Sequence, residues 1–290
     1  MSKPHPRYSQ YFYHASAYGL AGEIERPVRQ TIPAQAASVL AGHGGRGNSS
    51  VAKFDFPPFF YCEAAYTEVG GSYDEDHNKH TTYASSVVEG LNVADVLTAD
   101  LVVCRLVIYS PEVGKPGEHS YSFTGSHFDN LRVAGQKIDV DLATHTLHEY
   151  DTYSGFEKAY AGGKEAGLHP WGDQSDSGLS ELEQHEEQYH ALSGIGARAK
   201  AWKKKPTRNS TYWCSPAGHL KLPSKGTELK NYGSIILVPK FGVVRLAEML
   251  VSPEYRRLTM FRVDMCSGTT GSGSGGTSSG SGGAPPPGGG

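Results

Sequence analysis

Runs with the alternation of a β-strand constrain the fold of this chain more than any other feature. Residues 101–109, Leu-Val-Val-Cys-Arg-Leu-Val-Ile-Tyr, are apolar on both faces, as expected for a strand in the middle of a sandwich. Ile138, Val140 and Leu142 alternate with charged or polar residues over one period-2 stretch. A second β block is predicted at residues 233–250 and 258–265. These patterns predict a mainly β protein, a β-sandwich or a jelly-roll-like double sheet.

The segment between the two β blocks has helical spacing instead. Ser180-Glu-Leu-Glu183 can form a capping box, and Gly194 suits the position after a helix, so we expect a helix over residues 180–193. Shorter helices are expected at 197–204 and within 151–164. The sequence therefore predicts one β-rich domain over residues 1–266, with a helical insertion at about 151–205.

The C-terminal residues 267–290 have an unusual composition. They contain 11 Gly, 6 Ser, 3 Thr, 3 Pro and one Ala, with no charged residue. Such a segment has no large apolar side chains to bury, so we expect a disordered, flexible Gly/Ser-rich tail. The glycine-rich run at Gly42–Asn48 is expected to form a mobile loop, because it consists largely of turn-forming residues.

Composition and charge exclude several classes of protein. The net charge of −3 and a pI near 6.5 make nucleic-acid binding unlikely as a function. No run approaches the roughly 18 apolar residues of a membrane span, and the N-terminal residues lack the apolar core of a secretory signal. The four cysteines are far apart in sequence, so buried thiols are expected rather than a zinc motif, although one or two disulfides stay open.

Histidine and aspartate residues supply the candidate metal ligands. Two imidazoles and several carboxylates are concentrated in residues 74–80, and other histidines follow near residues 127 and 145–148. Zinc, manganese or calcium needs several such ligands that converge, whereas an exposed acidic loop would explain the same residues without a metal. A divalent metal is therefore a possible cofactor. The candidate ligands are Asp74, Asp76, His77, His80, His127, His145 and His148.

No arrangement of residues identifies a catalytic centre, so none is predicted. His185 and His190 are five residues apart and not four, which places them on different sides of a helix and excludes the metalloprotease motif. One basic cluster could contact a ligand or a polyanion, although cations at the end of a helix would have the same composition. The cluster consists of Lys200, Lys203, Lys204, Lys205 and Arg208.

Several short motifs resemble those of a bacterial family, the choice-of-anchor P domains. The motifs are Ala15-Ser-Ala-Tyr-Gly-Leu20, Ala84-Ser-Ser-Val-Val-Glu-Gly-Leu91, Val96-Leu-Thr-Ala-Asp-Leu101, Ser122-Phe-Thr-Gly-Ser126 and Leu131-Arg-Val-Ala-Gly135. The resemblance covers about residues 14–142. It implies a β-rich bacterial surface or secreted domain joined to a C-terminal anchor, and it implies no catalytic residues.

These observations favour a non-enzymatic structural or binding protein of a bacterial surface or extracellular assembly. Its expected partner is a second copy of the chain, as a homo-oligomer, or a surface polymer. The alternative is a metal-binding module or a metal-dependent enzyme that uses the His/Asp cluster.

Overall fold

The computed structural model describes residues 11–24, 30–142, 150–161, 180, 211–217, 219–222, 228–265 and 271–280 of the 290-residue chain. In chain order the strands are β1 (His14–Ile24), β2 (Gln30–Gln35), β3 (Ser38–Val39), β4 (Gly45–Val51), β5 (Phe54–Phe56), β6 (Phe60–Cys62), β7 (Ala64–Asp74), β8 (Lys79–Val93), β9 (Leu97–Pro111), β10 (Ser120–Ser122), β11 (His127–Asp129), β12 (Arg132–Val133), β13 (Gln136–Lys137), β14 (Asp139–Asp141), β15 (Tyr212–Cys214), β16 (His219–Lys221), β17 (Lys230–Tyr232), β18 (Ile235–Val238), β19 (Gly242–Val251), β20 (Tyr255–Met265) and β21 (Gly271–Gly280). A helix, α1 (Tyr153–Ala161), lies between β14 and β15.

Two large antiparallel sheets account for most of these strands. The nine-stranded sheet has the order β17-β18-β19-β20-β21-β1-β2, with β15 paired to β19 and β3 paired to β1. In the ten-stranded sheet the central strands β7, β8 and β9 are adjacent, and β4, β6, β10, β11 and β12 pair with them. Strands β14 and β16 form a separate two-stranded sheet. The predicted mainly β double-sheet fold is thus confirmed.

One apolar core lies between the two large sheets. Leu20 and Ile32 from the nine-stranded sheet belong to the same buried cluster as Val88 and Leu106 from the ten-stranded sheet. The sheets lie close together at Gly19, where an added Cβ would be only 2.7 Å from the Cβ of Ala65. A larger residue there would force the sheets apart, so glycine is required by packing.

Several predicted elements lie where the sequence placed them. The 101–109 run forms the middle of β9, and the second β block forms β18, β19 and β20. The helix predicted within 151–164 is α1, in which the Thr152 hydroxyl accepts a hydrogen bond from the amide of Gly155 at 3.2 Å. The helices predicted at 180–193 and 197–204 lie outside the described residues, apart from Ser180. Within the described residues, no helix has the length and apolar content needed to cross a membrane.

Two glycine-rich segments contain strands. The expected mobile loop at Gly42–Asn48 is wrong for its second half, because β4 begins at Gly45 and pairs with β7 along its whole length. The expected flexible tail includes β21, which pairs with β20 on one side and with β1 on the other. In both cases the neighbouring strands supply hydrogen-bond partners for a backbone whose side chains carry no β signal.

Candidate functional site

The predicted metal ligands Asp74 and His77 lie together in the turn between β7 and β8. Asp74 Oδ2 is 2.8 Å from His77 Nδ1, and Asp74 Oδ1 accepts the amides of Asp76 and His77 at 3.0 and 3.1 Å. The hydrogen bond from His77 lowers the pKa of the Asp74 carboxyl. This arrangement is an Asx-type turn closed by an ion pair at the surface.

The other predicted ligands lie in different places. His80 stacks on the Tyr11 ring with centroids 3.9 Å apart, and its Nδ1 is 2.9 Å from the Tyr13 hydroxyl. His127 lies on β11 with its Nδ1 2.9 Å from the Gly125 carbonyl oxygen. In the described part of the chain, no three His, Cys, Asp or Glu side chains converge as a metal site. His145 and His148 lie outside the described residues, so the metal site stays a prediction.

The predicted basic cluster, Lys200 to Arg208, also lies outside the described residues and stays a prediction.

The buried thiols are found where they were expected. Cys62, Cys104 and Cys214 are all buried. The thiols of Cys104 and Cys214 donate to the carbonyl oxygens of Leu258 and Met249 at 3.7 and 3.6 Å. Burial raises the pKa of the Cys62 and Cys214 thiols, so neither has the character of a nucleophile.

A buried polar network that the sequence analysis did not identify joins the N-terminal residues to β9. The Tyr11 hydroxyl donates to Ser110 Oγ at 2.8 Å, and His119 Nδ1 is 2.8 Å from the same oxygen. Burial, followed by the positive charge of Arg256, lowers the pKa of His119, while Glu118 acts in the opposite direction. The neutral imidazole is therefore the form that the folded protein favours.

This network predicts a loss of stability in acid. The pKa of His119 is lower in the folded chain than in the unfolded chain. The contribution of the neutral imidazole to the free energy of unfolding is therefore complete above about pH 6.5 and is lost as the pH falls. Burial lowers the pKa of His80 in the same direction. We expect the free energy of unfolding to fall below pH 6.5, and to fall less in His119→Gln. Urea titrations from pH 8 to pH 5 measure this, with His127→Asn as the matched surface variant. Parallel curves for wild type and His119→Gln would contradict it.

Arg256 lies at the centre of a second buried cluster, between β10, α1 and β20. Its Nη1 donates to the carbonyl oxygens of Ser252 and Tyr255, and its guanidinium lies 4.9 Å from the ring centroid of Tyr121. It also lies 5.9 Å from the ring centroid of Tyr153 on α1. No water-sized sphere fits between the side chains of this cleft. The cluster therefore fastens α1 to the sandwich and is closed to ligands as it stands.

The surface best suited to a ligand is the outer face of the ten-stranded sheet. Along β7 the exposed Tyr66 and Glu68 alternate with buried residues, and along β8 the half-buried Tyr83 does the same. Tyr109 on β9 continues this outer face. We name this surface the tyrosine face. Its members are Tyr66, Tyr83 and Tyr109 with the charged residues Arg46, Glu68 and Arg105.

The ring of Tyr83 is held down on the sheet. Gly70 is its register partner on β7, and a Cβ at Gly70 would overlap the ring carbons of Tyr83. The Tyr83 hydroxyl donates to Glu68 Oε1 at 2.5 Å, which fixes the outer end of the ring. Burial, together with this bond to Glu68, raises the pKa of Tyr83. The ring therefore covers the backbone of a glycine, and its orientation is fixed before any ligand binds.

The three tyrosines lie on a diagonal across three adjacent strands. Tyr66 pairs with Val87, four residues from Tyr83, which places the two about 13 Å apart along the strand direction. Tyr109 pairs with Thr81, two residues from Tyr83 and one strand further across, about 7 Å along and 5 Å over. Tyr66 is 43% exposed and Tyr109 is 39% exposed. Exposed aromatic rings thus occur at intervals across the outer face of this sheet.

Charged groups accompany these rings. Arg46 is the register partner of Gly70 on the far side from Tyr83, and Arg105 is the partner of Ser85, two residues from Tyr83. The charges of both arginines act on the Tyr83 hydroxyl. The tyrosine face therefore combines apolar ring surfaces with hydrogen-bond donors and an acceptor.

Sequence reasoning missed this face because its members come from separate strands. Tyr66, Tyr83 and Tyr109 are 17 and 26 residues apart in the chain, and only the register of β7, β8 and β9 places them together. No local pattern in the sequence distinguishes these tyrosines, because Tyr109 ends a run that is apolar on both faces.

Comparison with known proteins identifies a family whose function is unknown. The family described as a domain of unknown function, DUF8256, matches residues 11–252, which is most of the chain and includes all of the tyrosine face. No curated protein and no solved structure matches the chain.

Proposed function

This chain belongs to the DUF8256 family of domains of unknown function, and we propose that it is a non-enzymatic binding protein of a bacterial surface or extracellular assembly. Its ligand in this proposal is a surface polysaccharide, held on the tyrosine face. The observation that carries the proposal is the Tyr83 ring, fixed over Gly70 and hydrogen-bonded to Glu68.

The chemistry of a sugar chain fits this surface. A pyranose ring has one or two faces of C–H groups and a rim of hydroxyls, so it stacks on an aromatic ring while its hydroxyls seek hydrogen bonds. Tyrosine offers a large, rigid contact surface at a small loss of conformational entropy. Arg46, Glu68 and Arg105 supply donors and an acceptor for hydroxyls beside the Tyr83 ring.

The shape of the surface favours a polymer over a small molecule. Small ligands are usually bound in concave pockets that bury most of their surface. The rings of the tyrosine face extend over three strands, so several contacts of moderate strength would add along an extended chain. The resemblance of residues 14–142 to choice-of-anchor P domains supports a bacterial surface or secreted setting for such a polymer.

Affinity electrophoresis tests the proposal. The full chain runs in native gels that contain hydroxyethyl cellulose, xylan or alginate, so that neutral and acidic polymers are compared. We expect at least one polymer to retard the wild type, and we expect Tyr83→Ala to weaken that binding about tenfold. Tyr83→Phe keeps the ring and removes the bond to Glu68, so a smaller loss of about twofold to threefold is expected. Salt-sensitive retardation by alginate alone would identify the ligand class as acidic.

Tyr255→Ala is the matched control. Tyr255 is 40% exposed, as much as Tyr66 and Tyr109, but it lies on β20 in the opposite sheet. Its removal is expected to leave the retardation unchanged. Equal losses for Tyr255→Ala and Tyr83→Ala, or no retardation in any of the three polymers, would overturn the proposal.

A further inference from the structure

Strand β21 occupies a slot between two strands that do not pair with each other. It is antiparallel to β1 on one side and to β20 on the other, so β1 and β20 run parallel. With one strand between them they lie about 10 Å apart. Arg257 on β20 donates from Nη2 to the Tyr18 hydroxyl on β1 at 3.2 Å, so a side-chain bond spans the slot as well. The slot is thus a defined feature of β1 and β20.

The strand that fills the slot differs from the strands beside it. All ten residues of β21 are Gly, Ser or Thr. By contrast, β19 is buried at nine of its ten residues, and β20 is buried at seven of eleven. Backbone hydrogen bonds to β1 and β20, and not large apolar side chains, must therefore hold β21 in place.

We propose that the slot also accepts the β21 strand of a second copy of this chain, so that copies associate by exchanging C-terminal strands. This interaction goes beyond the proposed polysaccharide binding and uses the opposite sheet. An incoming β21 has the same sequence as the strand that it replaces, so it restores every backbone pair to β1 and β20. Exchange of an identical element is a low-barrier route to association in proteins because no new surface is needed.

The chain connectivity favours a second copy over an unrelated partner. β20 ends at Met265 and β21 begins at Gly271, so only five residues of the chain separate the two strands. An unrelated strand would have to match nine register pairs on each side and pass beneath the bond between Arg257 and Tyr18.

Cross-linking between two variants of the full chain, each with one introduced cysteine, tests the exchange. Ser16 on β1 and Ser278 on β21 are register partners, where cross-strand Cβ atoms lie about 5 Å apart, close to the spacing of a disulfide. Both variants carry Cys266→Ser, and the native Cys62, Cys104 and Cys214 are kept because they are buried. Ser16→Cys and Ser278→Cys chains are mixed at about 100 µM and oxidised, and the products are separated without reducing agent.

Exchange predicts a disulfide-linked dimer that contains one chain of each variant. Ser50→Cys, an exposed serine on β4 in the other sheet, replaces Ser16→Cys in the control mixture and is expected to give at least tenfold less of this dimer. The double variant in one chain is expected to close within the chain as well. Mixed dimers no more abundant than in the Ser50→Cys control would overturn the proposal. A double variant that closes only within its own chain would show that β21 fills the slot without exchanging.

Discussion

Replacing Gly242 with alanine is expected to lower the free energy of unfolding by at least about 3 kcal/mol. Gly242 begins β19 and pairs with Val238 on one side and Met265 on the other, so it lies inside the nine-stranded sheet. Its φ is +151°, and an added Cβ would overlap the carbonyl oxygen of Asp264. Because the overlapping atom belongs to the backbone of β20, no side-chain rotation relieves the clash.

Gly135→Ala is the matched control for this prediction. Gly135 also has a positive φ, +76°, but no atom lies within 4 Å of an added Cβ there. We expect Gly135→Ala to lower the free energy of unfolding only by the cost of a positive φ for alanine, about 1–2 kcal/mol. Chemical denaturation of both variants measures the difference. Equal losses at the two positions would mean that β19 and β20 are not packed as closely as described.

The second large effect concerns the slot between β1 and β20. A full chain with Gly273→Pro and Gly276→Pro cannot complete the two ladders, because the N–H groups of these residues point to opposite sides of β21 and each proline removes one of them. Its slot is therefore expected to bind a synthetic peptide of residues 271–280. The wild-type chain holds its own β21 at an effective concentration in the millimolar range. If the peptide binds with a dissociation constant on the order of 10 µM, the wild type should bind it about a hundredfold more weakly.

The energetics of β21 agree with a strand that can leave. Ordering ten residues costs about 15 kcal/mol of backbone entropy, at about 1.5 kcal/mol each. Nine register pairs on each side, at about 1 kcal/mol net for each hydrogen bond, return about 18 kcal/mol. The two quantities nearly cancel, so the strand is held weakly compared with β19 or β20.

Fluorescence anisotropy of a labelled peptide measures this difference directly. A peptide that carries the same two prolines is the control and should bind neither chain. Equal binding of the unmodified peptide to wild type and to the proline variant would contradict the described pairing of β21. So would binding of the proline-containing peptide, because that would not depend on backbone hydrogen bonds.

The β-strands that were predicted from the sequence are those whose apolar and β-branched side chains follow a strand-like pattern. β9 was predicted because its run of apolar and β-branched residues is typical of a strand; the sandwich buries its inner face, while Arg105 and Tyr109 are exposed on its outer face. β4 and β21 escaped prediction because Gly, Ser and Asn have low strand propensity, and their neighbours supply the reason for an extended backbone. Backbone pairing of this kind depends on tertiary structure and leaves no periodic pattern.

The candidate site shows the same limit in another form. Residue type identified His80 as a possible metal ligand, but the structure places its ring against Tyr11 and its Nδ1 beside the Tyr13 hydroxyl. Nothing in the sequence near Tyr83 indicates that Gly70 lies beneath its ring. That contact follows from the register of β7 and β8. The sequence therefore shows which side chains are present, while strand register determines which of them are in contact.

Tyrosine footprinting with and without a bound polysaccharide tests the proposed binding face most directly. The full chain is treated with a tyrosine-selective nitrating reagent alone and with the polymer that retards it in native gels, and the modified tyrosines are quantified by mass spectrometry. We predict at least fivefold protection of Tyr66 and Tyr109, with no change at Tyr255, which is equally exposed on the opposite sheet. Protection of Tyr255 with full modification of Tyr66 and Tyr109 would place the ligand elsewhere and contradict the account.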